Sequence, residues 1–246
     1  MLLSPAEIEK WRARGFAGET CVVFDVLRAT SVMVAGLASG AEGYVPVEEI
    51  SDAVELHRKH PAYLLAGERG GLRITAAQSG GVEFELGNSP REHSRARVAG
   101  RTIISTTTNG TQALRACLGA ERILAGSFLN LTATALWLVA NKASKITLVC
   151  AGTGDELAIE DVLAAGALCG VLGREGRVWE LSDSAWGAME LFRPVEANLA
   201  SGLVRSQNAQ RLLNMPELRD DVKFCLRVDS IPIVAAMAPD GVIRRV

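Results

Sequence analysis

The sequence predicts an α/β fold: a three-layer α/β/α arrangement around a largely parallel or mixed sheet, with a helical carboxyl-terminal region and a final hairpin. Three observations predict it. Short runs rich in β-branched residues alternate with helix-period segments along most of the chain, which implies crossover connections and a sheet covered on both faces. The runs lack polar alternation, as expected of strands buried on both sides. The composition also supplies a core, since 48% of the 246 residues are hydrophobic and the mean hydropathy is +0.18.

The elements follow in order. CVVFDVL reads as a strand centred on Val22, Val23 and Phe24, and SVMVAGLASG as a helix with Thr30 or Ser31 at its N-cap. GYVPV is a short strand, EEISDAVELHRKH an amphipathic helix ending at His57 and His60, and AYLLAG a strand. Residues 67–90 are glycine-rich with little helical period, and long loops inside compact α/β domains tend to be functional. Its tail, Asn88-Ser89-Pro90-Arg91-Glu92, predicts a short helix with a cap, an N1 proline and an acid in the first turn.

RTIIST is the next strand, and NGTQALRACLG a helix capped by Thr108 or Asn109. ERILAG and KITLVCAG are strands on either side of the helix LTATALWLVANK. ELAIEDVLAAGALCGVLGREG reads as one long helix whose first-turn acids, Asp155 and Glu156, complement its dipole. Past Trp179, SDSAWGAMELF, VEANLASGLVRSQNAQRLLN and PELRDDVKFCL are helical, and Pro239-Asp240-Gly241 turns the last two strands. The chain reads as a single compact unit, 1–246, or as two intertwined similar halves, about 1–125 and 126–246. Three segments share a strand, a small polar turn and an Ala/Gly-rich helix, and such turns can meet at one sheet edge: VVFDVLRATSVMVAGLASGA, IISTTTNGTQALRACLGA and LVCAGTGDELAIEDVLAAGAL.

Several function classes are excluded. A net charge of −2 and a pI near 6.0 leave no electrostatic footprint for nucleic acid or an anionic membrane. The start, with Pro5, Glu7, Glu9 and Lys10, is not a signal peptide. No stretch approaches the ~18 apolar residues of a membrane span. Five dispersed cysteines without a CxxC pair read as reduced core thiols of a cytoplasmic protein.

Chemistry concentrates at strand ends. VVFDVLRATS places Asp25, Arg28, Thr30 and Ser31 at a strand-to-helix turn, where open α/β sheets bind ligands. A carboxylate there suits a hard cation; Arg and hydroxyls suit phosphate or carboxylate. STTTNGTQAL offers Thr107, Thr108, Asn109, Gly110 and Thr111 as an oxyanion wrap, and GERGG adds Glu68 and Arg69. In GTGDELAIEDVL, Gly152 and Thr153 form a turn, while Asp161 falls four after Leu157 and seven before Leu168, on the apolar stripe. An inward carboxylate is expensive unless paired or metal-bound, which favours Asp161 over its neighbour Glu160 as functional. Asn88, Ser89, Ser127 and Asn130 are further candidates for substrate hydrogen bonds. Cysteine-phosphatase spacing, an Asp-x-Asp strand end, a GxxxxGK[ST] loop and a GxGxxG fingerprint are all missing.

VVFDVLRATS, LAGERGG, LGNSP, STTTNGTQAL, GSFLN and GTGDELAIEDVLAAGAL, in this order, closely resemble the 2-phosphosulfolactate phosphatase family of coenzyme M biosynthesis. The resemblance runs from about Cys21 to Arg174 and more weakly to the terminal hairpin. It implies a Mg²⁺-dependent phosphohydrolase on a fold peculiar to the family, releasing phosphate from a small 2-phospho-carboxylate, foremost 2-phosphosulfolactate. Asp25, Arg28 and Glu68 are the catalytic candidates; Asp25, Glu68, Asp161 and Glu160 are the metal-ligand candidates. Arg28 and Arg69 would clamp phosphate on one side and sulfonate or carboxylate on the other. The expected partner is this small anionic 2-hydroxy acid phosphate, with a homodimer as the candidate assembly. A second class is a non-catalytic binder of a phosphorylated or sulfonated metabolite, which would share the cradle but gain nothing from acids beside an anion.

Overall fold

The computed structural model describes residues 1–175 and 178–246. The elements in chain order are α1 (Pro5–Arg14), β1 (Thr20–Phe24), α2 (Ala29–Ala38), β2 (Gly43–Pro46), α3 (Ile50–Lys59), β3 (Leu64–Arg69) and β4 (Leu72–Arg73). Then come α4 (Arg95–Val98), β5 (Thr102–Thr106), α5 (Gly110–Ala116), β6 (Arg122–Gly126), α6 (Leu131–Ala140), β7 (Ile146–Cys150) and α7 (Ile159–Arg174). The carboxyl-terminal part holds α8 (Asp183–Phe192), α9 (Leu199–Gly202), α10 (Gln207–Leu213), α11 (Arg219–Cys225), β8 (Ala235–Met237) and β9 (Ile243–Arg245).

The nine strands of the described residues join one mixed sheet in the order β4-β3-β5-β2-β9-β8-β6-β1-β7. Two parallel blocks, β3-β5-β2 and β6-β1-β7, flank the terminal hairpin, which pairs antiparallel to both. Three successive antiparallel pairings reverse the sense, so the blocks run in opposite directions. Even so, α5 touches both β1 and β2. The sheet therefore coils around α2 and α5, by accumulated strand twist, until the carboxyl ends of both blocks face one cleft. Leu2 bonds Leu148 and Cys150 of β7, covering that open edge.

The layers follow from strand alternation. Cys21 and Val23 face a cluster with α1, α2 and α5, while Val22 and Phe24 face another with α6, α7 and the carboxyl-terminal helices. On the β3-β5 half, Leu65 and Ile104 pack on Ala53 and Val54 of α3. Helix α2 is buried from Ala29 to Leu37, which explains its lack of a polar face. All five cysteines are buried and free; burial pushes the Cys169 thiol to about 11 and Cys225 to about 12, leaving them unreactive. Among the described residues, no helix is long and apolar enough to cross a membrane.

Local expectations are corrected in five places. Helix α2 is capped at Arg28, not at Thr30 or Ser31, whose hydroxyls donate back to the Asp25 and Val26 carbonyls inside the first turn. Residues Pro90–Glu92 form a turn, and the short helix waits until Arg95 because Ser94 supplies the extended cap. Asn109 stands at the N-cap of α5 as expected, but neither it nor Thr108 caps by its side chain; Thr107 and Thr111 exchange amide-to-hydroxyl bonds instead. The long helix starts at Ile159, so Asp155 and Glu156 precede it and Glu160 and Asp161 are its first-turn acids; the expected end at Gly176 lies outside the described residues. Finally, the expected helix over 195–214 is broken into α9 and α10 by the cap at Ser206, whose hydroxyl accepts the Ala209 N–H.

His93 holds the 84–98 loop to the sheet. Its Nδ1 accepts from the buried Tyr44 hydroxyl (2.7 Å) and its Nε2 donates to the Gly87 carbonyl (3.2 Å), which requires the neutral ring. Burial lowers its pKa to about 4, with Arg97 adding and the Gly87 bond and Glu92 opposing. A lowered folded-state pKa means that the unfolded chain takes up the proton first. Stability is therefore full above the ordinary histidine range and declines as pH falls from about 6.5 to about 4, by roughly 3 kcal/mol. The difference in urea unfolding free energy between wild type and His93→Gln should fall by this amount from pH 7 to 4, which leaves out the opposing contribution of the raised Asp25 carboxyl; a difference independent of pH would reject it.

Candidate active site

The cleft is built from the carboxyl ends of β1, β3, β5 and β7 and from α10. It encloses about 310 Å³ and is lined by Asp25, Leu27 and Arg28, by Glu68, Gly70 and Gly71, by Asn88, by Thr108 and Asn109, by Gly152–Gly154, and by Asn208, Arg211 and Leu212. The three strand-turn-helix segments singled out by their sequence thus meet at one place.

Asp25 closes β1. Its Oδ1 accepts the Ala29 N–H at 3.0 Å, as a carboxylate does at a helix start. Its Oδ2 abuts Gly110, where a Cβ would stand only 2.4 Å away, so the first residue of α5 has to lack a side chain. Burial pushes the Asp25 carboxyl up to about 7; the Ala29 N–H opposes this, Glu68 and Glu160 add to it, and Arg28 opposes it. Glu68 accepts from the Thr108 N–H (2.8 Å) and hydroxyl (2.9 Å) on Oε1, and from the Gly71 N–H (2.7 Å) on Oε2.

Arg28 is buried and committed at one edge. Its Nη1 pairs with Asp221 at 2.7 Å and its Nη2 donates to the Gly71 carbonyl. Asp221, fully buried in α11, also accepts from Ser89 Oγ and Arg91 Nε, both at 2.7 Å. Gly71 needs no side chain for another reason, its φ of +86°. Its amide serves Glu68 and its carbonyl serves Arg28, so one glycine registers the acid against the cation.

The other predicted acids lie deeper. Asp161 accepts the N–H groups of Val26 (2.8 Å) and Gly152 (3.1 Å), tying the turn after β1 to the turn after β7. Burial raises its carboxyl well above the ordinary range, and the charges of Asp25 and Glu160 add to this. Leu157, used to place Asp161 on a stripe, is exposed and precedes the helix; Asp161 points inward because α7 is buried almost all round. Glu160 accepts from Ser206 Oγ (2.7 Å) and Asn208 Nδ2 (2.9 Å) and lines an adjoining cavity. Among the described residues, no three His, Cys, Asp or Glu side chains form a ready metal cluster. The cleft itself presents two carboxylates, Asp25 and Glu68.

Of the hydrogen-bonding candidates, Asn88, Thr108, Asn109, Gly152 and Thr153 line the cleft. Thr30 and Ser31 are consumed by their own turn, and Thr107 and Thr111 by each other. Ser89 serves Asp221. Ser127 and Asn130 form a buried capping box that also holds the Ala125 and Ile233 carbonyls. Arg69 turns away from the cleft to Thr106 and the Glu48 carbonyl, because neighbours on a strand alternate in direction and Glu68 has the inward face.

The sequence matches the family model of 2-phosphosulpholactate phosphatase over residues 4–239. The chain belongs to the 2-phosphosulfolactate phosphatase family. Curated relatives named as probable 2-phosphosulfolactate phosphatases occur in Symbiobacterium thermophilum (36% identical over 233 residues, 94% of this chain and 96% of the relative) and Caldanaerobacter subterraneus (37% over 234 residues, 94% and 92%). Another, in Thermotoga maritima, is 39% identical over 218 residues, 89% of this chain and 88% of the relative. The family match thus spans the cleft and the α10–α11 helices that close it.

Sequence reasoning missed the residues that α10 and α11 bring to the site, namely Asn208, Arg211 and Asp221. Asp221 was marked only by an apolar flank, Val222 and Cys225, on an otherwise polar segment. Because Asp221 keeps Ser89 and Arg91 but loses its buried charged donor, Arg28→Ala should lower the unfolding free energy by roughly 1.5–3 kcal/mol. Urea titration measures it, and a loss below about 1 kcal/mol would show that the pair is not formed.

Proposed function

We propose that the protein is a Mg²⁺-dependent phosphatase that hydrolyses 2-phosphosulfolactate, the phosphate monoester of a small 2-hydroxy acid, to sulfolactate and phosphate. The observation that carries this reading is the pairing of Asp25 and Glu68 with the Arg28 guanidinium in one cleft, in a chain of this family. A pure anion binder would gain nothing from two carboxylates there.

The donor set fits Mg²⁺. That ion is commonly held by one or two carboxylates together with substrate phosphate and water, rather than by an all-protein cage. Asp25 and Glu68 would hold it, and it would neutralise phosphate oxygens. In the reaction a water oxygen bonds to phosphorus, the bond from phosphorus to the C2 oxygen breaks, the water loses a proton and the leaving alkoxide gains one. Arg28, fixed by Asp221, offers its remaining N–H donors to the phosphoryl group without reorganising, which favours the transition state. Thr108 keeps Glu68 in register. Asp25, buried among acids, is held at a strand end that a ligand can approach.

EDTA should abolish phosphate release from 2-phosphosulfolactate and Mg²⁺ should restore it; full turnover by metal-free protein would contradict the metal assignment. Asp25→Asn keeps the Ala29 hydrogen bond and removes repulsion from Glu68 and Glu160. It should cut kcat by at least ~100-fold with a melting temperature equal to or above wild type. Inactivity accompanied by a large fall in melting temperature would make Asp25 a structural residue.

A further inference from the structure

Among the cleft-lining residues, two carry positive charge, Arg28 and Arg211, and both approach Gly71. Arg28 donates to the Gly71 carbonyl, while Nη2 of Arg211 lies 4.0 Å from the position that a Gly71 Cβ would take. Their charges are differently employed. Arg28 is neutralised by Asp221 at 2.7 Å. Among the described residues, Arg211 has no carboxylate within the 4.0 Å that defines an ion pair. Arg69, which the sequence pointed to as the second clamp, faces the other way.

Arg211 sits at the exposed rim, yet its head group is aimed. Its Nη2 donates to Asn208 Oδ1 at 2.8 Å. Asn208 is buried, and its amide nitrogen donates to the Leu27 carbonyl (2.6 Å) and to Glu160 (2.9 Å). An amide whose two N–H groups are spent on a carbonyl and a carboxylate can offer only its oxygen to the arginine. The guanidinium is thereby oriented from the same turn that carries Arg28, leaving Nη1 and Nε for a ligand.

We propose that Arg211 is the specificity-determining residue of this cleft: it binds the second anionic group of the substrate, the carboxylate or sulfonate on the acid moiety. The proposal rests on the phosphatase reading. Asp25 and Glu68 serve the phosphate end through a cation, and Arg28 has its charge balanced inside the protein. A substrate with further negative charge needs an uncompensated cation at the mouth, and a planar fork suits both oxyanions. The substrate class follows: phosphate monoesters whose leaving alcohol is itself an acid.

The test compares kcat/KM for 2-phosphosulfolactate, 2-phospholactate and isopropyl phosphate, which lacks any second anion, in wild type, Arg211→Ala and Arg211→Lys. Sulfolactate Kd and melting temperature are measured beside them. The Ala variant should lose about 10- to 100-fold in kcat/KM for 2-phosphosulfolactate relative to isopropyl phosphate. Sulfolactate should bind at least ~10-fold more weakly to it, with Lys intermediate, at an unchanged melting temperature. A relative loss shared by 2-phospholactate supports the proposal and identifies the carboxylate; one confined to 2-phosphosulfolactate supports it and identifies the sulfonate. Equal losses on all three esters, or none, overturn it, as does an unchanged sulfolactate Kd. Failure of wild type to hydrolyse any of the three would instead remove the phosphatase reading, and the sulfolactate Kd would still judge Arg211.

Discussion

The site depends on one buried contact, the pairing of Arg28 with Asp221. Asp221 has no solvent, and it takes three donors from two distant parts of the chain: Arg28 after β1, and Ser89 and Arg91 in the loop before α4. Each alone would be a poor exchange for the hydration that two charges give up. Together they satisfy the carboxylate and fasten α11 over the strand ends, so that a shallow sheet edge becomes a walled cleft. The same contact leaves Arg28 rigid, which is what a transition-state donor requires and a ground-state binder does not.

A second constraint is topological. Because the terminal hairpin joins two parallel blocks of opposite sense, their carboxyl ends can share a cleft only if the sheet coils strongly. Gly110 permits that closure, and Asp161 braces the β1–β7 side of it. Asp161 gathers the amides of the β1 and β7 turns, and Gly110 lets α5 approach Asp25 from the other block. Acids accumulate as a consequence. Glu160 adds to the charging cost of both Asp25 and Asp161, Asp25 adds to that of Asp161, and the backbone N–H groups of Ala29, Val26 and Gly152 offset part of it.

Much of this was legible beforehand because it is local. The strands announce themselves by β-branched runs, and Asp25, Glu68, Thr108 and Asn109 by polar residues at strand ends. What the residues do there was less legible. Thr30, Ser31, Thr107 and Thr111 looked like ligand hydroxyls but satisfy amides and carbonyls within five residues of themselves, a competition that composition does not reveal. Arg69 was misaimed by ignoring the two-residue alternation of the strand. Asp221 was invisible because its partner is 193 positions away. Arg211 lies on a helix whose mate, Asn208, gains meaning only once Leu27 and Glu160 are beside it. The insertion of the last hairpin into the middle of the sheet has no local signature at all.

The central claim is that cation and phosphate share the cleft between Asp25, Glu68 and Arg28. Mn²⁺ can replace Mg²⁺ as a paramagnetic probe at oxygen ligands. With protein in excess over Mn²⁺ and inorganic phosphate present, the phosphorus-31 resonance should broaden strongly in wild type. The broadening should fall to the protein-free level in Glu68→Gln that retains its melting temperature. Equal broadening in the folded variant would place the ion elsewhere and contradict the account.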